Sequence, residues 1–261
     1  MRDVPWIFVL LFLAFSACAG SPDRPPGAVS ELEEADASRL KQIAEEKNES
    51  ITPYKGIGEI FIDGPNGVVE GRAAWIAAAD GRFRVEALNV TGQPLARMIC
   101  SRTECFFIFT EEDCLRRETA GHTGLGPLSG IGLKAREMVL LMGGGVGLRD
   151  HDSKEAYATA SGGQVLVLKK GFLGTVQTVR FSEDLENIVS TEVFGWRGPV
   201  YRAEVTRQER AGRDMMPFGL DITDETGNRI TVSVQRCWTD IEPGPDAFAT
   251  QLPDGAGCDR Q

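Results

Sequence analysis

The side chains that most often perform acid–base chemistry or bind metals are scarce here, with two histidines, His122 and His151, in 261 residues. Both lie in glycine-rich or acidic loop sequence, where a solvated histidine is the expected state. The glycines at 143–147 lack the spacing and the Lys-Ser/Thr ending of a phosphate-binding loop. Ser129 is not a nucleophile elbow, because Pro127 stands where that motif requires its first glycine. We therefore predict a protein that is not an enzyme and that holds no metal or cofactor.

Cysteines are the other group that could do covalent chemistry, and the chain has six. No pair has the two-residue spacing of a zinc ribbon or finger. Cys100 and Cys105 are separated by a hairpin-sized loop and could face each other across two antiparallel strands. Cys237 and Cys258 could tie the last strand to the C-terminal tail. Pairing of Cys105 with Cys114 is equally allowed, so the disulfide pattern stays open at this point.

The sixth cysteine follows an N-terminal apolar run. That run, Trp6 to Phe15, is too short to span a bilayer as a helix and is typical of the core of a signal peptide. It leads through Ser16 and Ala17 into Cys18, which resembles the lipobox of bacterial lipoproteins, with phenylalanine in place of the usual leucine. In such proteins the cysteine is acylated and becomes the first residue after cleavage. Ordinary cleavage after Ala19 is the alternative.

Domain organisation follows from this reading. We predict a signal peptide at 1–17, a lipid-anchored tether at 18–29, one folded domain at 30–256 and a tail at 257–261. Two or three acyl chains would hold the protein to a membrane durably, at about 0.8 kcal/mol per buried methylene. The net charge of −10, without clustered Lys or Arg, argues against non-specific nucleic-acid binding.

The folded part must position any site, and its pattern is mostly of period two. Residues 30–47 predict an amphipathic helix, with Ser30 as its cap and Glu33 completing a capping box. About eleven strands follow, recognised from alternating apolar and polar residues between turn signals. Between two groups of strands, Leu133 to Met142 predicts a strongly apolar helix that ends at a run of glycines. The fold class is therefore mainly β (α+β).

This order of elements resembles the LolA/LolB lipoprotein-localisation family. Gly71 to Trp75, followed by residues 82–85, resembles the family's second and third strands. The hairpin over 221–230 resembles its late pair of strands, and residues 247–255 resemble its closing segment. The resemblance covers nearly the whole mature chain. It implies a single, strongly curved antiparallel half-barrel with an N-terminal helix and a central lid helix.

A half-barrel has too little side-chain volume to fill its own concave face, so a lid or a ligand must cover it. We expect acyl chains of lipoproteins or lipids to bind there, since apolar surface can hold them without reading a head group. The wall residues that we predict are Trp75, Phe83, Val85, Phe107, Phe109, Leu220, Ile222, Val232 and Val234. The predicted lid residues are Ile131, Met138, Leu141 and Met142. The alternative is that both sets form an ordinary packed core.

The resemblance also implies a membrane-insertion loop and a location. In LolB-like proteins a leucine projects from the loop after the third strand, and the matching residues here are Leu88, Val90 and Leu95. A plain hairpin with the two leucines buried at its base is the alternative. Ala19 lacks the aspartate that commonly retains lipoproteins in the inner membrane, which favours the periplasmic side of the outer membrane. A soluble LolA-like carrier would be the partner. The competing hypothesis is an anchored interaction module that transfers no lipid.

Overall fold

A computed structural model describes residues 24–101, 104–109, 114–119 and 125–249 of the chain. The predicted signal peptide, Cys18, His122 and Cys258 lie outside these residues.

Strands make up most of the described chain. In chain order they are β1 (Ala28–Glu31), β2 (Tyr54–Gly64), β3 (Gly67–Ala77), β4 (Phe83–Leu88), β5 (Pro94–Cys100), β6 (Glu104–Phe109), β7 (Cys114–Thr119), β8 (Ser153–Thr159), β9 (Gln164–Lys169), β10 (Thr175–Phe181), β11 (Ile188–Gly195), β12 (Gly198–Ala211), β13 (Asp214–Thr223) and β14 (Arg229–Trp238). The helices are α1 (Glu34–Ser50), α2 (Gly126–Ser129) and α3 (Ala135–Met142), with a 3₁₀ turn at Gly171–Leu173.

These strands form one 14-stranded sheet in the order β1-β8-β9-β10-β11-β12-β13-β14-β2-β3-β4-β5-β6-β7. Every pairing is antiparallel. Two meanders, β2–β7 and β8–β14, join where β14 pairs with β2. The sheet has more strands than the predicted eleven. One of them, β1, occupies residues that were expected to lie in the tether and the first helix.

The first helix begins at Glu34 rather than at Ser30. Ser30 belongs to β1 and lies opposite Ala158 of β8, so its backbone is committed to the sheet. The N-cap position is Glu33, which makes no side-chain capping hydrogen bond. The predicted cap at Ser30 is therefore wrong, because the strand that competes for these residues is distant in sequence. The second predicted helix is present as α3.

Two apolar clusters lie between the sheet and the helices. One joins α1 to β8–β11 through residues such as Leu40, Leu166 and Phe181. The other joins α3 to strands of both meanders. The helices thus cover one face of the sheet, α1 over the β8–β11 half and α3 over the half where β14 meets β2.

Irregular register bends the sheet. Shifts occur in the pairs β10–β11, β11–β12, β12–β13 and β14–β2, and such bulges increase local twist and curve the bulged strand. The shift in β14 lies between Val234 and Arg236. Beside it, a Cβ placed on Gly58 of β2 would be 2.2 Å from the carbonyl oxygen of Ser233. Glycine allows the two strands to approach this closely at the bend.

Candidate functional site

The predicted wall and the predicted lid meet in one apolar cluster. On the wall side, Trp75, Phe83, Phe107, Leu220, Ile222, Val232 and Val234 are buried members, and the half-buried Val85 packs against them. On the lid side, the buried members are Ile131, Met138, Leu141 and Met142. The side chain of Phe109 lies outside the described residues. Helix α3 and the loop before it therefore rest directly on the wall.

The wall in this conformation is filled by the lid. A cavity of about 80 Å³ lies at the edge of the sheet where β2 and β13 begin, and its lining includes Lys47, Tyr54, Gly143 and Asp214. Ligand pockets are usually about 300–1,000 Å³ and mainly apolar, so this cavity is too small and too polar for an acyl chain. In this conformation α3 and the loop before it pack on the described wall residues.

A half-buried ion pair between Glu137 and Arg149 holds α3. Glu137 of α3 lies 2.7 Å from the guanidinium of Arg149, and its other oxygen accepts the backbone N–H of Lys134 at 2.9 Å. Arg149 also lies near Tyr201 of β12, whose pKa is raised by burial. Its Nε has no partner among the described residues, so the pair is not fully satisfied. Incomplete satisfaction of a buried pair limits its net contribution to stability.

Gln177 of β10 extends this network to the other half of the sheet. Its side chain is fully buried; Oε1 accepts the backbone N–H of Arg149 at 2.8 Å, and Nε2 donates to the carbonyl of Gly147 at 3.0 Å. Both contacts bind the segment after α3 rather than α3 itself. The segment that carries Arg149 is therefore fixed to the sheet, and the Glu137–Arg149 pair is the link between this fixed segment and the lid.

Tyr54 provides the second polar contact to α3. Its hydroxyl donates to the carbonyl of Val139 at 2.7 Å. Burial raises the pKa of Tyr54 well above its usual value, so the hydroxyl stays protonated and keeps its donor role throughout the physiological range. Two polar contacts and the apolar packing together hold α3 on the wall. Sequence reasoning missed Glu137, Arg149 and Tyr54, because nothing local to any of them signals its partner.

Three solved structures share the overall fold of this chain. A DUF1329 family protein from Desulfovibrio piger matches with a TM-score of 0.56 and 10% identity, covering 83% of this chain and 99% of that one. A LolA superfamily protein from Nitrosomonas europaea matches at 0.52 and 9%, covering 81% and 97%. An outer membrane lipoprotein-sorting protein domain from Vibrio parahaemolyticus matches at 0.55 and 7%, covering 83% and 97%. The fold is LolA-like.

This likeness confirms the predicted mainly-β half-barrel, and at such low identity it establishes the fold alone. No protein-family model matches the sequence, and no curated protein matches it. The finer resemblance to LolB stays a prediction. Within the part of the chain that the structure describes, no helix is long and apolar enough to cross a membrane.

In the LolA-like half-barrel, the loop predicted to insert into a membrane is the β4–β5 hairpin. Val90 is 93% exposed at its tip, Leu95 is 42% exposed, and Leu88 is half-buried. Asn89 orders the turn, since its Oδ1 accepts the backbone N–H groups of Thr91 and Gln93 at 3.0 and 2.9 Å. The side chain that projects furthest into solvent is therefore a valine, not either leucine.

Three cations on β9, β10 and the connection between them have partners in the structure. Lys169 lies 2.5 Å from Glu155 and Lys170 pairs with Asp150. Arg180 donates to the carbonyl of Pro26 at 2.8 Å, which ties the segment before β1 to β10. These contacts belong to the sheet framework and not to the wall or the lid.

The cysteines divide between a bond and a free thiol. Cys100 and Cys105 form a disulfide across β5 and β6, where they occupy opposite positions in the register. Cys237 of β14 is a half-buried free thiol, and its predicted partner Cys258 lies outside the described residues. Burial raises the pKa of Cys237 to about 11.

Cys237 should therefore react slowly with iodoacetamide. Its raised pKa lowers the thiolate fraction at pH 8 by about 100-fold relative to a thiol of pKa about 9, since two pKa units correspond to two decades. We expect peptide mass mapping to find Cys237 almost unmodified under native conditions at pH 8. It should be fully modified after denaturation, and the native rate should rise up to about pH 11. Fast native alkylation at pH 8 would contradict the burial of this thiol.

Proposed function

We propose that this protein is a lipid-anchored lipoprotein of the outer membrane, facing the periplasm, whose half-barrel binds acyl chains when α3 moves aside. In this proposal it takes part in lipoprotein or lipid transfer. The observation that supports it is the packing of one eight-residue apolar helix over an apolar wall. An acyl chain of similar shape can take the place of such a short helix on the wall. It could not displace several long helices or strands that share one core.

The energy of this exchange supports the proposal. Removing α3 from the wall exposes apolar surface at a cost of about 25 cal/mol per Å². An acyl chain that lies along the same wall recovers most of this cost without requiring a directional contact. The methionines at 138 and 142 suit a surface that packs against more than one partner, because their side chains adapt to irregular shapes.

The anchor and the partner in this proposal come from the N-terminal sequence. Acylation at Cys18 would attach the protein to the membrane, and Ala19 after it favours the outer membrane. A soluble LolA-like carrier would deliver the cargo. The exposed Val90 hairpin would then meet the membrane into which cargo is released. Anchoring is tested by labelling cells with an alkyne fatty acid and comparing the chain with its Cys18→Ala variant.

Cargo binding is tested on residues 19–261, without the N-terminal apolar run, purified without detergent and examined by native mass spectrometry and by titration with a fluorescent fatty acid. We expect co-purified lipid or saturable probe binding. Val85→Glu places a charge on the half-buried wall and should weaken probe binding at least tenfold. Ile43→Glu is the matched control, because Ile43 is equally half-buried but packs in the α1 cluster. A lipid-free protein that ignores the probe, or equal effects of both variants, would reject acyl-chain binding.

The filled wall also favours a second candidate, an anchored module that binds another envelope protein and transfers nothing. If α3 never leaves the wall, no ligand is needed, because the apolar side chains of α3 already bury those of the wall. In that case the probe would not bind and hydrogen exchange of α3 would be as slow as that of β13. Probe titration together with hydrogen exchange therefore separates the two functions.

A further inference from the structure

The exposed apolar side chains are concentrated at one end of the strands, in the connections between them. Antiparallel pairing places the connections β2–β3, β4–β5, β9–β10, β11–β12 and β13–β14 at the same end of the strands. We call this end of the sheet, formed by the hairpin connections and not by an outer strand, the hairpin edge. Eight large apolar side chains are exposed among the described residues. Six of them lie on or beside this edge: Val68, Val69, Val90, Leu95, Phe172 and Trp196.

Two of the six are aromatic and lie far from the β4–β5 hairpin. Phe172 is 89% exposed in the β9–β10 connection, and Trp196 is 79% exposed in the β11–β12 turn. Two strand spacings separate these connections in the sheet order, about 10 Å along the edge. Eight spacings, about 40 Å, separate the Phe172 connection from the β4–β5 hairpin. No element among the described residues covers either aromatic ring.

Each aromatic residue has a cation beside it in sequence. Arg197 follows Trp196, and Lys170 lies two residues before Phe172. The pair between Lys170 and Asp150 is exposed, and exposed pairs contribute little, so Lys170 can turn toward another anion. Aromatic rings next to Lys or Arg are typical of residues at the level of lipid head groups, where a ring enters the boundary and the cation meets phosphate.

The distribution favours a lipid surface over a protein partner. A protein interface buries a contiguous apolar centre surrounded by a polar rim. Here the apolar groups are single side chains on separate hairpin tips, spread along about 40 Å of edge. A bilayer surface accepts such isolated points because lipids rearrange around each one. Carboxylates lie near both aromatic tips, since Glu225 of the β13–β14 turn lies beside Gly198 and Asp152 lies beside Gly171. Insertion of the two rings, rather than attraction to anionic lipid, should therefore supply most of the contact.

We propose that the hairpin edge docks on a lipid bilayer, with Trp196 and Phe172 inserted at the boundary between head groups and acyl chains, as a contact separate from the Val90 hairpin. Docking through two parts of the edge would hold the half-barrel with its strands directed at the membrane. The inference goes beyond the proposed function and does not need acyl-chain binding, because the edge is exposed while the lid is closed. A protein that ignored the fatty-acid probe could still dock in this way.

The test uses tryptophan fluorescence of the full chain reconstituted into vesicles of phosphatidylethanolamine and phosphatidylglycerol with brominated acyl chains. Bromine quenches only those rings that approach the acyl region. All variants carry Trp6→Phe, which leaves Trp75, Trp196 and Trp238 as reporters. We expect quenching, and we expect Trp196→Phe to reduce it at least threefold. Adding Phe172→Trp to that variant should restore it.

Trp238→Phe is the matched control. Trp238 is also exposed, at 41%, but it ends β14 at the opposite end of the strands from the hairpin edge. Its replacement should leave quenching unchanged, and Trp75 is only 5% exposed and contributes little. Unchanged melting temperatures would establish that each variant is folded. The proposal is overturned if brominated lipid does not quench, if Trp196→Phe leaves quenching intact, or if Trp238→Phe reduces it equally.

Discussion

Replacing Glu137 by glutamine should raise the affinity for a fluorescent fatty acid by about 5- to 150-fold. Glutamine can still accept the Lys134 N–H but loses the ion pair with Arg149. Because Arg149 is partly exposed and can be hydrated, we expect the closed lid to lose about 1–3 kcal/mol. An open state that is rarely populated then becomes more common by the same factor, and the apparent dissociation constant falls accordingly.

A second variant tests the same lid from its other contact. Tyr54→Phe removes only the hydroxyl that donates to Val139, at a cost of about 0.5–1.5 kcal/mol, and should raise probe affinity by about 2- to 10-fold. Tyr157→Phe is its control, because Tyr157 donates to Glu155 on β8, away from α3. Fluorescence titration measures affinity, and hydrogen exchange over 135–142 measures lid opening. If hydrogen exchange over 135–142 became faster while the affinity for the fatty acid stayed the same, α3 would move without admitting an acyl chain. That result would count against acyl-chain binding.

Replacing Gly58 by alanine should destabilise the whole sheet. The added methyl group would lie 2.2 Å from the Ser233 carbonyl oxygen, so β2 and β14 must separate at the junction of the two meanders. Overpacking that forces backbone movement costs about 1–3 kcal/mol. For a domain of this size that lowers the melting temperature by about 2–12 °C.

Gly71→Ala is the control for this substitution. Gly71 lies on β3 of the same hairpin, and a Cβ there has nothing within 4 Å. Its backbone needs no positive φ, so alanine should leave the melting temperature unchanged or raise it slightly. Thermal unfolding followed by circular dichroism compares the two variants. Equal melting temperatures would mean that the close approach at Gly58 is not needed for the bend.

Local pattern was sufficient for most strands and for α3. The alternation over 82–87 and over 218–234 is a property of neighbouring residues. It places the apolar side chains on one face of the strand and the polar ones on the other, whichever strand is the partner. The apolar run before the glycines at 143–145 was likewise sufficient to predict a helix. Ser30 shows the limit of this approach. Its sequence supports a helix cap, yet pairing with β8 decides that the residue joins a strand.

For the candidate site too, the sequence predicts some features and the tertiary structure decides the others. The wall and lid residues could be named from periodicity and from the resemblance, since both depend on which side chains are apolar. Whether the wall is empty or filled could not be predicted, because it depends on how closely α3 packs. The hairpin edge was only partly predicted, since Phe172 and Trp196 lie in loops with no periodic signal.

The sequence by itself determined the mainly β class, the position of the lid helix, the N-terminal apolar run with its cysteine, and the scarcity of catalytic side chains. These depend on composition and on contacts between near neighbours. The tertiary structure alone decided that Glu137 meets Arg149, that Cys100 bonds Cys105, that β14 closes on β2 and that the lid fills the wall. Each of these depends on which segments approach in space, and that approach is selected by packing of the whole chain rather than by any one segment.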